Sequence, residues 1–350
     1  MAGRVLTTRE LNRALLARQL LLERSDLPLV RAVERIGGIQ AQYAPSAYIG
    51  LWSRLRHFDL DALTKALERR RVIQATLMRA TIHIVSAADY PRFLEGIRTV
   101  RREWWSRVGR RRAGSIDMAA AARLLRRALR DGPRRQRELV EVLQAEGFPR
   151  MAWSGAGMWV DMVRVPPSGT WGQRRADLYG LADGWVPDRS VTEADGRVHL
   201  LRRYLGAFGP ASLADASNWA GLPVTALRPA VDALRLRRFR DQAGGELLDL
   251  PRAPLPDPDT PAPVRFIPTW DAILLAHARR TEILPEQHRP RVFDTKTPHS
   301  VPTFLVDGAV AGTWRNEKGR IRIDPFGRLS RETRRALDEE AERLAAFHAD

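Results

Sequence analysis

Two glutamines, Gln40 and Gln42, alternate around Ala41, just after Gly37-Gly38 and shortly before Pro45. If the backbone there is extended, alternation sends both amides to the same side. Two amides on one side of a short connector can be structural caps or packing groups. They can equally be two hydrogen-bonding arms that hold a water or a base. Their types and spacing alone leave both open.

More familiar chemistry has no support in the residues. The chain has no cysteine, so thiolate metal sites, disulfides and cysteine nucleophiles are excluded. Its seven histidines form no i,i+4 pair and no HExxH, which argues against a helical zinc site and any metal. No Walker A loop and no GxGxxG follows an expected strand, and Ser154-Gly155 belongs to no G-x-S-x-G elbow, so no cofactor is expected.

The charge points to the partner. A chain of 350 residues with net charge +17 and pI near 11.3 expects a polyanion such as DNA or RNA. Of its 58 basic residues only Lys65, Lys296 and Lys318 are lysines. Apolar residues make up 44%, enough for ordinary cores. With no N-terminal apolar signal and no run of eighteen apolar residues, a cytoplasmic protein with no membrane partner is expected.

The elements that must position the glutamines read mainly α with β. Thr7 and Glu10 form a capping box before a leucine-rich helix, and a second helix runs from about Asp26 to Gly37-Gly38. A third follows at Asp59–Arg69; strands at 72–77 and 81–85 then flank a turn at 78–80. Helices followed by a two-stranded wing are the winged-helix plan, a helix-turn-helix variant. Ser86–Val108 reads as one helix. The pattern repeats with helices at 117–130, 133–144 and 155–165, a turn at 166–171 and a strand at 177–181. A third unit has helices at 198–207, 212–220 and 224–236 and a hairpin at 239–250. Residues 251–263 hold six prolines in thirteen, a stiff linker. Strands at 264–269, 282–284, 302–306 and 309–314, with a helix from Ser330 to Phe347, suggest a small β-barrel. The expected division is 1–110, 111–192 and 193–250 as three tandem winged-helix units, the linker 251–263, and 264–350 as the barrel.

Several motifs occur in a telling order: Ile39-Gln40-Ala41-Gln42, Leu77-Met78-Arg79-Ala80-Thr81-Ile82-His83, Arg164-Val165-Pro166-Pro167-Ser168-Gly169-Thr170-Trp171, Tyr204-Leu205-Gly206-Ala207-Phe208-Gly209-Pro210-Ala211, Trp270-Asp271-Ala272-Ile273-Leu274-Leu275-Ala276-His277 and Val306-Asp307-Gly308-Ala309. Together, from about residue 5 to 345, they make the chain resemble the AlkZ/YcaQ-like family of bacterial winged-helix DNA glycosylases. The resemblance implies excision of N7-alkylated purines from double-stranded DNA and, in the branch with Gln-apolar-Gln, the unhooking of interstrand crosslinks. It places catalysis on Gln40 and Gln42.

Around that pair, Arg79, Thr81 and His83 alternate on a wing strand and could line a DNA groove, His83 being equally readable as a structural histidine. Ser168, Gly169 and Thr170 could offer hydroxyls and backbone N–H groups to a phosphate, with Arg174 and Arg175 beside them, or simply form a proline-framed turn. Trp104 and Trp105, beside Arg101 and Arg102, could stack at DNA or pack in a core. Asp271 and His277 are expected to organise the junction after the linker. Residues 291–300 could form a hairpin that touches the lesion. With no lysine closer in sequence than Lys65, lyase chemistry is not expected and the enzyme would be monofunctional. A monomer is expected. The alternative is a non-catalytic winged-helix transcriptional regulator.

Overall fold

The computed structural model describes residues 4–113, 115–186, 190–278, 281–293 and 300–349. Helix α1 (Thr8–Arg18) starts at the expected capping box, with Thr7 accepting from the Glu10 amide. It is followed by α2 (Leu29–Arg35), the two-residue strand β1 (Ile39–Gln40), α3 (Ala44–Trp52) and α4 (Leu60–Glu68). Helix α3 has no counterpart among the sequence expectations. All nine of its residues are buried, so it shows no amphipathic stripe; Pro45 in its first turn is its one local signature.

Strands β2 (Val72–Thr76) and β3 (Ile82–Ser86) form the expected hairpin and lead into α5 (Tyr90–Ala113). Next come α6 (Met118–Leu129), β4 (Arg134–Arg135), α7 (Gln136–Ala145), α8 (Ala152–Ala156), β5 (Met162–Arg164) and β6 (Leu178–Leu181). The helix expected at 155–165 is thus a short helix followed by a strand. Val163 buries fully on one side of β5, and the strand is held between β2 and β6.

One six-stranded sheet, in the order β1-β3-β2-β5-β6-β4, runs through residues from both the first and the second expected unit. Gln74 opposite Arg164 makes the join. Beyond it, α9 (Glu193–Phe208), α10 (Leu213–Ala220) and α11 (Val224–Asp232) precede the hairpin of β7 (Arg237–Arg240) and β8 (Glu246–Asp249). Helices α5 and α9 cross at Gly96 and Gly196, where a Cβ added to Gly196 would sit 2.5 Å from the Gly96 nitrogen. Only glycine permits that approach.

The proline-rich segment is fastened to α1. Arg18, Arg9 and Arg13 donate to the carbonyls of Pro254, Pro258 and Thr260. Then follow β9 (Arg265–Ile267), α12 (Arg289–Val292), β10 (Thr303–Val306), β11 (Ala309–Glu317), β12 (Arg320–Pro325) and α13 (Arg331–Ala349). The four strands pair in the order β12-β11-β10-β9. Among the described residues this is an open sheet, with β9 and β12 at its edges and no closed barrel. Four short strands are too few to close, and α13 covers the apolar face, placing Phe347 and Leu344 in one cluster with Trp314 and Phe266. The strand expected at 282–284 is a turn: Ile283 accepts one bond from Val310 without forming a ladder. Of the expected hairpin at 291–300, residues 294–299 lie outside the described residues. No helix among the described residues is long and apolar enough to cross a membrane.

The largest buried cluster includes Leu15 and Leu16 of α1, Ile73 and Val85 of the first hairpin, Tyr204 and Phe208 of α9, and Leu305 and Val310 beyond the linker. Asp271 and His277 tie the chain beyond the proline-rich segment to the end of α3 and to α9. Asp271 takes both ends of the Arg54 guanidinium at 2.8 Å, and His277 Nε2 lies 3.1 Å from the Phe208 carbonyl.

Candidate active site

The Gly37-Gly38 stop works because both glycines have positive φ, 79° and 85°, which turns the chain from α2 straight into β1. Residue Gln40 then pairs with His83 on β3, which pairs with Ala75 on β2, so all three face the same side of the sheet. Extended pairing ends when the Ala41 amide donates to the Ile82 carbonyl; Gln42 sits in the bend before α3.

Gln40 is buried, at 4% exposure, and its Oε1 accepts from Arg79 Nη2 at 2.6 Å. Because a guanidinium can only donate, this bond fixes which end of the amide is the oxygen. Among the described residues no hydrogen bond holds the Gln40 Nε2 donor. Gln42 is the complement, with a buried Oε1 that has no hydrogen-bond partner among the described residues. An unpaired buried acceptor costs about 1–3 kcal/mol, so the position is one the fold tolerates for another reason. The pair therefore presents one donor and one acceptor.

Arg79 is the hub of this site. It occupies the turn between β2 and β3 at φ 52°, with Ala80 following at φ 60°. Two consecutive non-glycine residues in the left-handed region are strained, by roughly 1 kcal/mol or more each. The strain is held in place by bonds at the end of the side chain: Nη2 to Gln40 and Nη1 to the Trp219 carbonyl at 2.6 Å. The turn after α10 presses on it from the other side. Gly221 caps α10 at φ 72°, and a Cβ there would meet the Arg79 nitrogen at 2.9 Å. Gly221→Ala is expected to destabilise the protein by about 1–3 kcal/mol, read by urea unfolding.

His83 is buried at 3% exposure, and its Nδ1 lies 3.0 Å from the Thr81 carbonyl. Burial, reinforced by the nearby Arg79 charge, pushes its pKa down to about 3, so the imidazole is neutral above about pH 4. It is thus a neutral hydrogen-bonding group beneath the site and carries no charge for a phosphate. Thr81 Oγ1 donates to the Met78 carbonyl within the same turn.

The 166–171 turn differs from its phosphate-binding reading. Ser168 and Thr170 are buried; their hydroxyls donate to the Arg175 and Pro167 carbonyls, and the Gly169 and Thr170 amides donate within the turn. Gly169 has φ 77°, and a Cβ there would overlap the Gln74 amide. These three residues therefore build the turn. The exposed cations on it are Arg174 and Arg175, and Arg175 pairs with Asp177 at 2.9 Å. Arg174 reaches the Tyr43 hydroxyl at 3.1 Å, next to Gln42. Tyr43, 42% exposed, was missed in the sequence; its place directly after Gln42 is the only signal for it.

The structure thus brings Arg79 and His83 to Gln40, and Arg174 to the Gln42 side. It does not bring Ser168, Gly169 or Thr170 to the pair with donors to spare. Lys65 is exposed and pairs with Asp61 on α4, and no group of three or more His, Cys, Asp or Glu residues among those described could hold a metal. Beside Arg79 opens a cleft of about 880 Å³, lined by α5 and by the α10–α11 turn.

Comparison with known proteins agrees with this architecture. No curated sequence matches the chain. The solved structure of Streptomyces sahachiroi DNA glycosylase AlkZ superposes with a TM-score of 0.82 at 18% identity, covering 99% of this chain and 97% of that one, which shows a shared fold. The family model for AlkZ-like DNA glycosylases matches residues 33–347, from the end of α2 through α13. The chain belongs to the AlkZ-like DNA glycosylase family.

Proposed function

We propose that this DNA glycosylase hydrolyses the N-glycosidic bond of N7-alkylated purines, crosslinked guanines included, with Gln40 and Gln42 as the catalytic pair. The observation that carries the reading is the pair's complementary state: Gln40 with its carbonyl tied to Arg79, Gln42 with a buried carbonyl unpaired. Gln42 Oε1 accepts from the attacking water and Gln40 Nε2 donates to it, which orients the water toward C1′. The water oxygen bonds to C1′ as the C1′–N9 bond breaks. The bonding electrons pass to N9 and neutralise the alkylated ring, and the water proton leaves to solvent.

Neither amide is a strong base or acid, so the chemistry suits a base that is already cationic. Unmodified adenine or guanine would need a proton donor that the pair does not supply. Lys65, the lysine nearest the pair in sequence, is exposed and paired with Asp61, and we read the reaction as ending at an abasic site without a Schiff base. A crosslinked base stays tethered to both strands, which suits an open cleft better than a closed base pocket. We read the helix groups, including α9–α11 with its β7–β8 wing, as winged-helix units divided at 110/111, 192/193 and 250/251, in a protein that acts as a monomer.

The test is release of N7-methylguanine from duplex DNA. Wild type is expected to release it, and Gln40→Ala/Gln42→Ala to lose at least about 10²-fold in rate, the scale expected when a reacting group loses its positioning. Full activity in the double variant would remove the catalytic assignment. Tight, sequence-specific binding to undamaged DNA with no base release would favour the regulator.

A further inference from the structure

The cleft next to Arg79 has features that double-stranded DNA alone does not call for. Among the described residues three of its lining side chains are arginines, Arg79, Arg101 and Arg107, with Glu103 the one acid beside them. Arg101 is only 8% exposed, and its one hydrogen bond runs from Nη1 to the Leu77 carbonyl at 2.7 Å. Among the described residues no carboxylate pairs with it, and burial pushes its pKa down to about 10, which still leaves it charged at neutral pH. A buried cation without an anion is costly, and its natural complement is a phosphate.

Three residues on, Trp104 lies on the same wall of the cleft and is 51% exposed, whereas its neighbour Trp105 is buried and bonded to Ser154. An exposed indole beside a buried guanidinium offers an aromatic face and an anion site within one turn of helix. The α10 side of the lining adds Ser217, whose hydroxyl already donates to the Leu222 carbonyl, and Asn218 with its side-chain amide. In a duplex the base faces are already stacked, so Trp104 can stack only on a base that has left the helix. The volume of about 880 Å³ is in the range of sites that enclose a small molecule, and ample for one nucleotide.

We infer that the cleft between α5 and the α10–α11 turn binds one extrahelical nucleotide of the DNA substrate, its phosphate at Arg101 and Arg79 and its base against Trp104. The site needs DNA as ligand but not the N7-alkylpurine chemistry proposed above, so the two can fail separately. Since Arg79 also holds Gln40, an occupied cleft reports to the catalytic pair through a single side chain.

Fluorescence anisotropy at fixed salt tests this with two duplexes of equal length, one fully paired and one with a single unpaired nucleotide. The full-length protein is expected to bind the second about tenfold tighter, the scale of one base stacking on one aromatic side chain. Trp104→Ala, an exposed position, is expected to abolish that preference and Trp104→Phe to restore most of it. Equal affinity of wild type for both duplexes, or a preference that survives in Trp104→Ala, overturns the inference. So does displacement by millimolar deoxyguanosine monophosphate without discrimination between the duplexes, which would assign the cleft to free nucleotides. A retained preference in a protein that releases no N7-methylguanine would keep this site and remove the proposed reaction.

Discussion

Asp249→Ala is expected to destabilise the protein by about 3–5 kcal/mol, the largest stability loss among the substitutions considered. Both Asp249 and Arg18 have fully buried side chains, joined by two bonds at 2.6 and 3.1 Å. Arg237 adds a third contact to the same carboxylate at 2.6 Å, and Arg18 also donates to the Leu205 carbonyl. Removing the carboxylate leaves a buried guanidinium with carbonyls alone for company, which cost more than the lost bonds themselves. Asp249→Asn should lose less, since it keeps one acceptor. Asp249→Leu combined with Arg18→Met should recover much of the loss, because the buried charge goes with its partner. Urea unfolding checks the series; a loss under about 1 kcal/mol for the alanine variant would contradict the account.

The second large effect falls on catalysis. Arg79→Ala is expected to lower N7-methylguanine release by about 10²-fold while the fold persists, because it frees the Gln40 amide to rotate. Arg79→Lys separates position from charge. Lysine keeps the cation but cannot reach two carbonyls with one planar fork, as Arg79 does with Gln40 and Trp219. It should therefore bind DNA nearly as wild type does, with KM little changed and kcat still low. Recovery of full kcat in the lysine variant would show that Arg79 acts only as a positive charge.

What could be read in the sequence was what is local. Thr7 and Glu10 announce the start of α1, and alternation announces β2 and β3. The six prolines mark a change in the chain even though they do not mark a hinge. Gln40 and Gln42 could be singled out by spacing and by the order of motifs around them. Their different states could not, since the bond that distinguishes them comes from Arg79, thirty-nine positions away. That Ser168 and Thr170 spend their hydroxyls inside the turn was hidden for a related reason: hydroxyls and amides in a turn look alike in sequence whether they face outward or close the turn. Helix α3 escaped because a wholly buried helix has no polar side to give it a period. The shared sheet escaped because Gln74 and Arg164 meet only in the fold.

The segment at 251–263, fastened to α1 at Pro254, Pro258 and Thr260, bears on how the molecule comes apart. A proline-rich stretch commonly lets two bodies melt independently. Here its own carbonyls are gripped by the helix that opens the chain, and Leu15 on that helix lies in one apolar cluster with Val310 on the far side. Release of the strap strips α1 of ligands for Arg9, Arg13 and Arg18 together, and loss of α1 opens the core on both sides of the strap. The N-terminal helix and the C-terminal sheet are thus thermodynamic neighbours despite lying at opposite ends of the polypeptide, and heat should find in them a single cooperative unit.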